Sequence, residues 1–384
     1  MSRVIHAAFL LLASLALAAA QPAVVTDVDF SPSTERPEGL VGQWIGRYVA
    51  ASGALEPAEG ATALFSAHEG VVENVGVIFD PTVTDKIAAV WIVEHGPYEA
   101  RGDGYVMLAR VKATTADSPY GVPGDIRCAA FCIEEDRLYV HAKVTRKFVF
   151  LFWQQKLTAP SSPQFSGVES FDDCPPVPDP TAFAEGAPPM DLESIGADHA
   201  AVFERTTSPA LKDRLGTPTD AEWPEQLPGL WKGETRIDTP GIIAETSTTS
   251  PSPTYVSITQ GAAPNAWIFL DPEDESKIVS ANVNVLANVE SFDTHLTFTN
   301  APWKYTADMS AGKSTWCNTI VLNEEGDASY VLSADAPAGE EVKCPAAPED
   351  PAGIIGELDG DGLLGDDELM EASGAVAAHV LRKQ

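Results

Sequence analysis

Apolar and polar residues alternate along much of the chain. Val279, Ala281, Val283 and Val285 interleave with Ser280, Asn282 and Asn284, the period-two pattern of a strand with one buried face. Val71 to Phe79, Lys86 to Glu94, Tyr105 to Lys112 and Arg137 to Trp153 are rich in Val, Ile, Tyr and Phe and bounded by Gly, Pro and Asp. A second set comprises Thr254 to Thr259, Ala266 to Leu270, Lys277 to Leu286, His295 to Thr299, Thr315 to Leu322 and Ser329 to Ser333. Such side chains fit a pleated, half-buried surface. Short strands at close spacing predict a mainly β protein built as antiparallel barrels or sandwiches. Helix is expected at Ala197 to Lys212. It is also expected from Asp366 to Lys383, which is rich in Ala, Leu, Glu and Met, with acids in its first turn and Arg382 and Lys383 at its end.

The two sets of strands belong to two copies of one unit. Pro37-Glu38-Gly39-Leu40-Val41-Gly42-Gln43-Trp44-Ile45-Gly46 aligns without a gap on Pro224-Glu225-Gln226-Leu227-Pro228-Gly229-Leu230-Trp231-Lys232-Gly233. Cys128 and Cys317 follow these tryptophans at nearly equal distance. Each is followed by a Glu-Glu, at Glu134-Glu135 and Glu324-Glu325, and then a Tyr-Val, at Tyr139-Val140 and Tyr330-Val331. A Cys-Pro run rich in proline closes each copy, from Cys174 and from Cys344. Three landmarks in one order predict an internal duplication. The organisation expected is a leader (1–20), an N-terminal arm (21–36), a first β-domain (37–180), a linker with a short helix (181–222), a second β-domain (223–351) and a C-terminal tail (352–384). The opening Gly-x-Trp of each copy resembles the start of lipocalin-like barrels, which implies a ligand-binding calyx. The alternative is a Trp packed across one end of any β-barrel or sandwich.

Met1 to Ala20 reads as a secretory signal peptide, with Arg3 in the n-region, Ala7 to Leu17 as the apolar h-region and Ala18-Ala19-Ala20 at its end. A membrane anchor is the competing reading, and the run is short for one. The chain carries 56 acids against 24 Lys and Arg, a net charge of −32. That balance opposes nucleic acid and anionic membranes and favours cations or basic surfaces. The acids are dispersed, so a soluble acidic exterior explains them equally well.

Five cysteines in a secreted chain imply disulfides and one thiol left over. The repeat selects Cys128–Cys174 and Cys317–Cys344 and leaves Cys132 as a buried free thiol. No H-E-x-x-H, G-x-S-x-G or complete phosphate loop occurs, and His95, His141 and His295 read as surface or packed residues near strand ends. The expectation is therefore a non-enzymatic protein.

One stretch carries definite chemistry. Glu357, Asp359, Asp361 and Glu368 stand at the first, third, fifth and twelfth positions of a twelve-residue run, with Gly362 at the sixth and the carbonyl of Leu363 at the seventh. This spacing resembles an EF-hand calcium loop, which needs oxygen ligands at those positions and a sharp turn at the sixth. The first position holds Glu where Asp is usual, and Pro348, Pro351, Gly353 and Gly356 crowd the place of an incoming helix. An acidic turn before a C-terminal helix is the alternative. Taken whole, this acidic chain rich in Glu, Pro and Ala, with one such loop, resembles the Glu-Pro-Ala-rich calcium-binding proteins associated with coccoliths of calcifying algae. That resemblance implies Ca2+ as ligand and a role beside acidic polysaccharide or calcium mineral.

The sequence thus predicts a secreted or vesicle-lumen acidic calcium-binding protein of two tandem β-domains and an EF-hand-like tail, with no membrane span. A tandem β-barrel binder of a small apolar ligand or a carbohydrate is the alternative. An apolar cavity inside a barrel would favour it. A hydrolase with unrecognised carboxylates comes third.

Overall fold

The computed structural model describes residues 30–52, 59–82, 86–115, 122–144, 168, 170–209, 211, 225–237, 251–262, 264–302, 304–306, 309–310, 314–337, 339–350 and 367–384. The fold is mainly β. In chain order the first eight strands are β1 (Gly42–Ala51), β2 (Thr62–Ala67), β3 (Glu73–Phe79), β4 (Ile87–Arg101), β5 (Gly104–Thr115), β6 (Ile126–Glu134), β7 (Arg137–Val144) and β8 (His199–Arg205). Each pairs antiparallel with its sequence neighbour, and β8 returns to β1, so the meander closes as an eight-strand barrel. Closure leaves no edge with unpaired backbone groups.

The later strands are β9 (Gly229–Ile237), β10 (Ser252–Ile258), β11 (Pro264–Asp271), β12 (Asp274–Ser291), β13 (Leu296–Pro302), β14 (Lys304–Thr306), β15 (Met309–Ser310), β16 (Ser314–Leu322), β17 (Ala328–Pro337) and β18 (Ala377–Lys383). A short helix, α1 (Asp367–Ser373), precedes β18. All but β14 and β15, which pair with each other, close a second circuit in which β18 pairs with both β17 and β9. The barrel form of the expectation holds, and the sandwich form does not.

Each barrel has its own interior core. Trp44, Tyr48, Ile78, Phe131 and Leu138 fill part of the first, and Trp231, Val256, Trp267, Phe298 and Ile320 fill the second. Trp44 and Trp231 are both buried, and their indole nitrogens donate to the carbonyls of Leu40 (2.9 Å) and Leu227 (3.0 Å), four residues back in each case. Arg205, at the end of β8, lies 4.3 Å from the Trp44 ring centroid, and Lys383, at the end of β18, lies 5.5 Å from that of Trp231. Gly46 and Gly233 also match in detail. A Cβ there would lie 1.9 Å from the Val202 carbonyl oxygen and 1.8 Å from that of Val380, so the first strand can approach its closing strand only as glycine.

The barrels meet along outward faces. Ile45, Leu64, Val75, Val77, Val90 and Ile92 of the first pack with Leu230, Tyr255, Ala266, Ile268 and Val283 of the second in one buried cluster. That is why β3 is buried on both faces and reads as a continuous apolar run from Val75 to Phe79. Polar contacts rim the cluster. Gln43 donates to the Pro264 carbonyl at 3.0 Å, Tyr255 donates to Glu73 at 3.3 Å, and Glu73 pairs with Lys112. Lys277 and Ile278 of β12 also pair in parallel with Thr114 and Thr115 of β5.

Two stretches expected to be helical are in large part strand, although Pro209 and Leu211, beyond β8 in the first of them, are helical. Ala197 to Lys212 contains β8, and the segment from Ala377 to Lys383 is β18 rather than the end of a long helix. Alanine favours helix, but each segment fills the gap between two strands whose backbone groups would otherwise be unpaired, and that requirement outweighs propensity. α1 stops where Gly374 takes a positive φ of 74°. β8 falls inside the stretch read as a linker, and β18 inside the stretch read as a tail. Residues 170–197 are not loose either. Cys174 stands at disulfide distance from Cys128, the Pro176 carbonyl accepts from His141 at 3.0 Å, and Phe183 packs against Tyr139 and His141.

Because β18 completes the second circuit, a chain ending at Gly374 leaves β9 and β17 as open edges. Urea unfolding followed by tryptophan fluorescence should show a lost or strongly lowered transition for the second barrel. An unchanged midpoint and amplitude would refute the closing role of β18.

Candidate functional site

The first barrel is incompletely filled. Its interior holds a cavity of about 130 Å³ walled by Phe65, Trp91, Met107 and Phe131, with Asn74, His95, Arg127 and His199 among its lining residues. The wall follows from alternation: Trp91, Val93 and His95 share the inward parity of β4, and Arg127, Ala129 and Phe131 that of β6. Small residues leave the space, since Ala109, Ala129, Ala142 and Ala201 all reach the cavity.

Near His95 the polar groups form a network. Arg36, from the segment before β1, donates to His95 Nδ1 at 2.9 Å, to the Tyr98 hydroxyl at 3.4 Å and to the Val71 carbonyl at 2.5 Å. The Tyr98 hydroxyl also contacts His95 Nδ1. Arginine has no acceptor, so Nδ1 must accept. Burial, and after it the Arg36 charge, hold the His95 imidazole neutral with its pKa well below the usual value. The ring proton therefore sits on Nε2. The Asn74 amide lies 2.7 Å from Nε2, and facing an N–H it must present its oxygen. Amide orientation follows from the network in this way. The other end of that amide has no partner. With the oxygen committed to His95, this end is the NH2, a buried donor.

His199 lies farther round the wall. Its ring meets Tyr48 edge-on at 5.0 Å, and its Nδ1 has no hydrogen-bond partner. Burial, with smaller effects from Arg127 and His141, pushes its pKa down to about 3. The Arg127 guanidinium lies 5.7 Å from the Trp91 ring centroid. Burial lowers the Arg36 pKa and raises that of Tyr98 to about 12.

The second barrel is packed differently. Trp267, Trp316, Asn284, Asn300 and Asn318 surround a space of about 20 Å³, room for a single water. Asn265 donates to Asn300 at 2.9 Å, Ser333 to Asn318 at 2.6 Å, and His379 bridges Thr235 and Ser333. Its polar groups are largely spent on one another.

Of the residues expected to bind calcium, Glu357, Asp359, Asp361 and Leu363 lie outside the described residues, and Glu368 belongs to the first turn of α1. Among the described residues no three His, Cys, Asp or Glu side chains are grouped to hold a metal. The cysteine expectations are met: Cys128 and Cys174, and Cys317 and Cys344, stand at disulfide distance, with Cα separations of 5.4 Å and 4.8 Å, and Cys132 is buried and unbridged. Burial raises the Cys132 thiol to about 11, which suppresses its reactivity. No helix among the described residues is long and apolar enough to cross a membrane. No protein-family model and no curated protein matches the chain.

The cavity residues Asn74, Arg127 and His199, and Arg36 behind His95, are not singled out by the sequence, which gives His95 only as a surface or packed residue near a strand end. Strand parity places His95 with Trp91, but only barrel closure brings β4, β6 and β8 around one space.

The neutral buried imidazoles set a pH dependence. His68, His199 and His379 have folded pKa values lowered to about 4, 3 and 3, below the unfolded value of 6.5. Below pH 6.5 the unfolded chain binds protons that the folded chain refuses, so stability falls as pH drops toward the folded values. The slope should approach about 1.4 kcal/mol per pH unit for each such histidine. Urea midpoints at pH 7, 6 and 5 test this, with His379→Asn expected to flatten the fall. A midpoint independent of pH over that range would contradict the assignment.

Proposed function

We propose that this protein binds a small, mainly apolar molecule inside its first barrel and is not an enzyme. The observation that carries the reading is the cavity of about 130 Å³, lined by aromatic and aliphatic side chains with a few polar groups. That composition is typical of small-molecule sites. An engineered apolar cavity of similar size, about 150 Å³, takes up benzene, which sets the scale at a single ring. The histidines at the wall are held neutral and weakly basic at physiological pH, which suits recognition better than proton abstraction.

The matched environments of Trp44 and Trp231, and of Gly46 and Gly233, support descent of the two barrels from one duplicated unit. On this reading the copies have diverged, and the first keeps the ligand space. The paired cysteines support a secreted or vesicle-lumen setting.

Toluene and benzyl alcohol are suitable neutral probes. Each should quench or shift the fluorescence of Trp91 saturably, and Ala129→Leu, which fills the cavity, should weaken binding by about tenfold or more. Saturable binding that Ala129→Leu leaves unchanged would place the ligand elsewhere.

The oxygen spacing of residues 357–368 supports a second, separate reading, a Ca2+ site in the connection that leads into α1 and β18. Association with acidic polysaccharide or calcium mineral rests on the same residues and on the acidic composition. Calorimetry of the full chain should give an affinity on the order of 10⁻⁴–10⁻³ M, typical of extracellular calcium modules, and Glu368→Gln should weaken it strongly by removing the bidentate ligand. Calcium heats indifferent to that substitution would end the EF-hand reading.

A further inference from the structure

We propose that a cleft on the outside of the first barrel binds an organic dianion, a dicarboxylate with an aliphatic body being the class that fits. The cleft, of about 750 Å³, is lined by the barrel wall and by the segment that precedes β8, and it is separate from the interior cavity. Its volume is on the scale of small-molecule sites. Arg47 of β1 and Arg137 of β7 line it, together with Phe183, Glu185, Pro188 and Met190 of that segment. Their chain neighbours Tyr48 and Leu138 line the interior cavity, so strand alternation turns both arginines outward. β8 runs between them. Arg47 registers with Val202 and Arg137 with Glu204, which sets their backbones about 10 Å apart across the strands and about 7 Å apart along them.

The segment is anchored at both ends of the cleft. Phe183 packs on Tyr139 and His141, and Asp179 caps the turn before it by accepting from the Thr181 N–H at 2.9 Å. Met190 packs against the cluster of Leu192, Ala197 and Ala200. Between these anchors the chain turns at Gly186, with φ at 83°, and Pro188 and Pro189 restrict it further. Arginine and lysine are scarce in this acidic chain, and Arg101, Arg110, Lys112, Arg205, Lys232 and Lys277 are each paired with an acid. Arg47 and Arg137 are exposed, and among the described residues neither has an ion pair or a side-chain hydrogen bond. Glu204, the cross-strand neighbour of Arg137, accepts from Ser208 at 2.7 Å instead. Glu185 pairs with neither arginine. Each guanidinium fork matches one carboxylate, and Phe183, Pro188 and Met190 offer apolar surface to the body between two such groups. The acidic exterior disfavours anions elsewhere on the surface, so an anion retained here is held by this pair.

The test is calorimetry of the full chain at low salt with adipate, hexanoate and inorganic phosphate. Adipate should bind about tenfold tighter than hexanoate, and its affinity should fall as added salt screens the exposed charges. Arg47→Gln and Arg137→Gln should each weaken adipate by about fivefold, and the double variant should lose the advantage over hexanoate. Lys277→Gln, which removes an exposed cation elsewhere, and Ala129→Leu, which fills the interior cavity, should leave adipate unchanged. Should an arginine variant fail to fold, the wild-type order of the three probes and the two controls decide. Hexanoate or phosphate binding as tightly as adipate overturns the dianion assignment. Adipate binding that Ala129→Leu abolishes, that Lys277→Gln weakens as much as the arginine variants do, or that ignores both arginines overturns the cleft as the site. Absence of adipate binding overturns the proposal and leaves the reading of the interior cavity standing.

Discussion

Closure of the sheet is the constraint from which the rest follows. A strand left at an edge exposes a row of backbone donors and acceptors, and a long antiparallel meander has two such edges. Here each meander returns to its first strand. β8 is supplied from beyond a long excursion and β18 from beyond α1, so both closing strands are remote in sequence from the strands they join. Their side chains are modest. Ala200, Ala201, Ala377 and Ala378 form no strong β signal, and the strands exist because β1 with β7, and β9 with β17, need partners. Glycine at 46 and 233 is the steric counterpart, since it lets the first strand come within backbone contact of the last.

Closure also creates an interior from which water is excluded, and that interior sets the protonation of everything in it. His95, His199 and His379 are neutral because a charge there would be desolvated. Neutrality fixes tautomers, and tautomers fix which ends of neighbouring amides donate. The orientation of the Asn74 amide follows from this sequence of causes, beginning with an arginine that can only donate. In the second barrel Asn265 bonds Asn300, and Ser333 bonds Asn318 and His379, with one end of the Asn318 amide left without a partner. In the first barrel one end of the Asn74 amide and Nδ1 of His199 are buried without a hydrogen-bond partner.

The sequence was most legible where a pattern is local. Alternation at Val279 to Val285 sits in β12, and the duplicated Gly-x-Trp predicted two buried tryptophans in matching places. The cysteine landmarks gave the correct pairs because Cys128 and Cys317 occupy comparable strands and each Cys-Pro run folds back over its own barrel. Legibility failed where a strand is defined by its neighbours. His199 to Arg205 and Ala377 to Lys383 contain good helix formers, and propensity within a segment carries no information about an unpaired edge elsewhere. The cavity was illegible for a related reason. Volume is a difference between the space that closure encloses and the side chains that fill it, and Ala109, Ala129 and Ala201 look unremarkable until the strands that carry them stand face to face.

The two barrels differ in how their interiors are filled. Gly46 pairs with Phe203 and Gly233 with Leu381, so in register Ala201 corresponds to His379 and His199 to Ala377. Each barrel thus has a histidine on its closing strand, displaced by two residues, which preserves the inward parity but moves the imidazole to a different level of the barrel. At one level it bridges Thr235 and Ser333 and completes a filled core. At the other it meets Tyr48 and leaves Nδ1 buried without a hydrogen-bond partner. Exchange of alanine and histidine over one strand repeat is a small change in sequence. A shell held by backbone pairing tolerates different interiors, so the barrel by itself specifies no function.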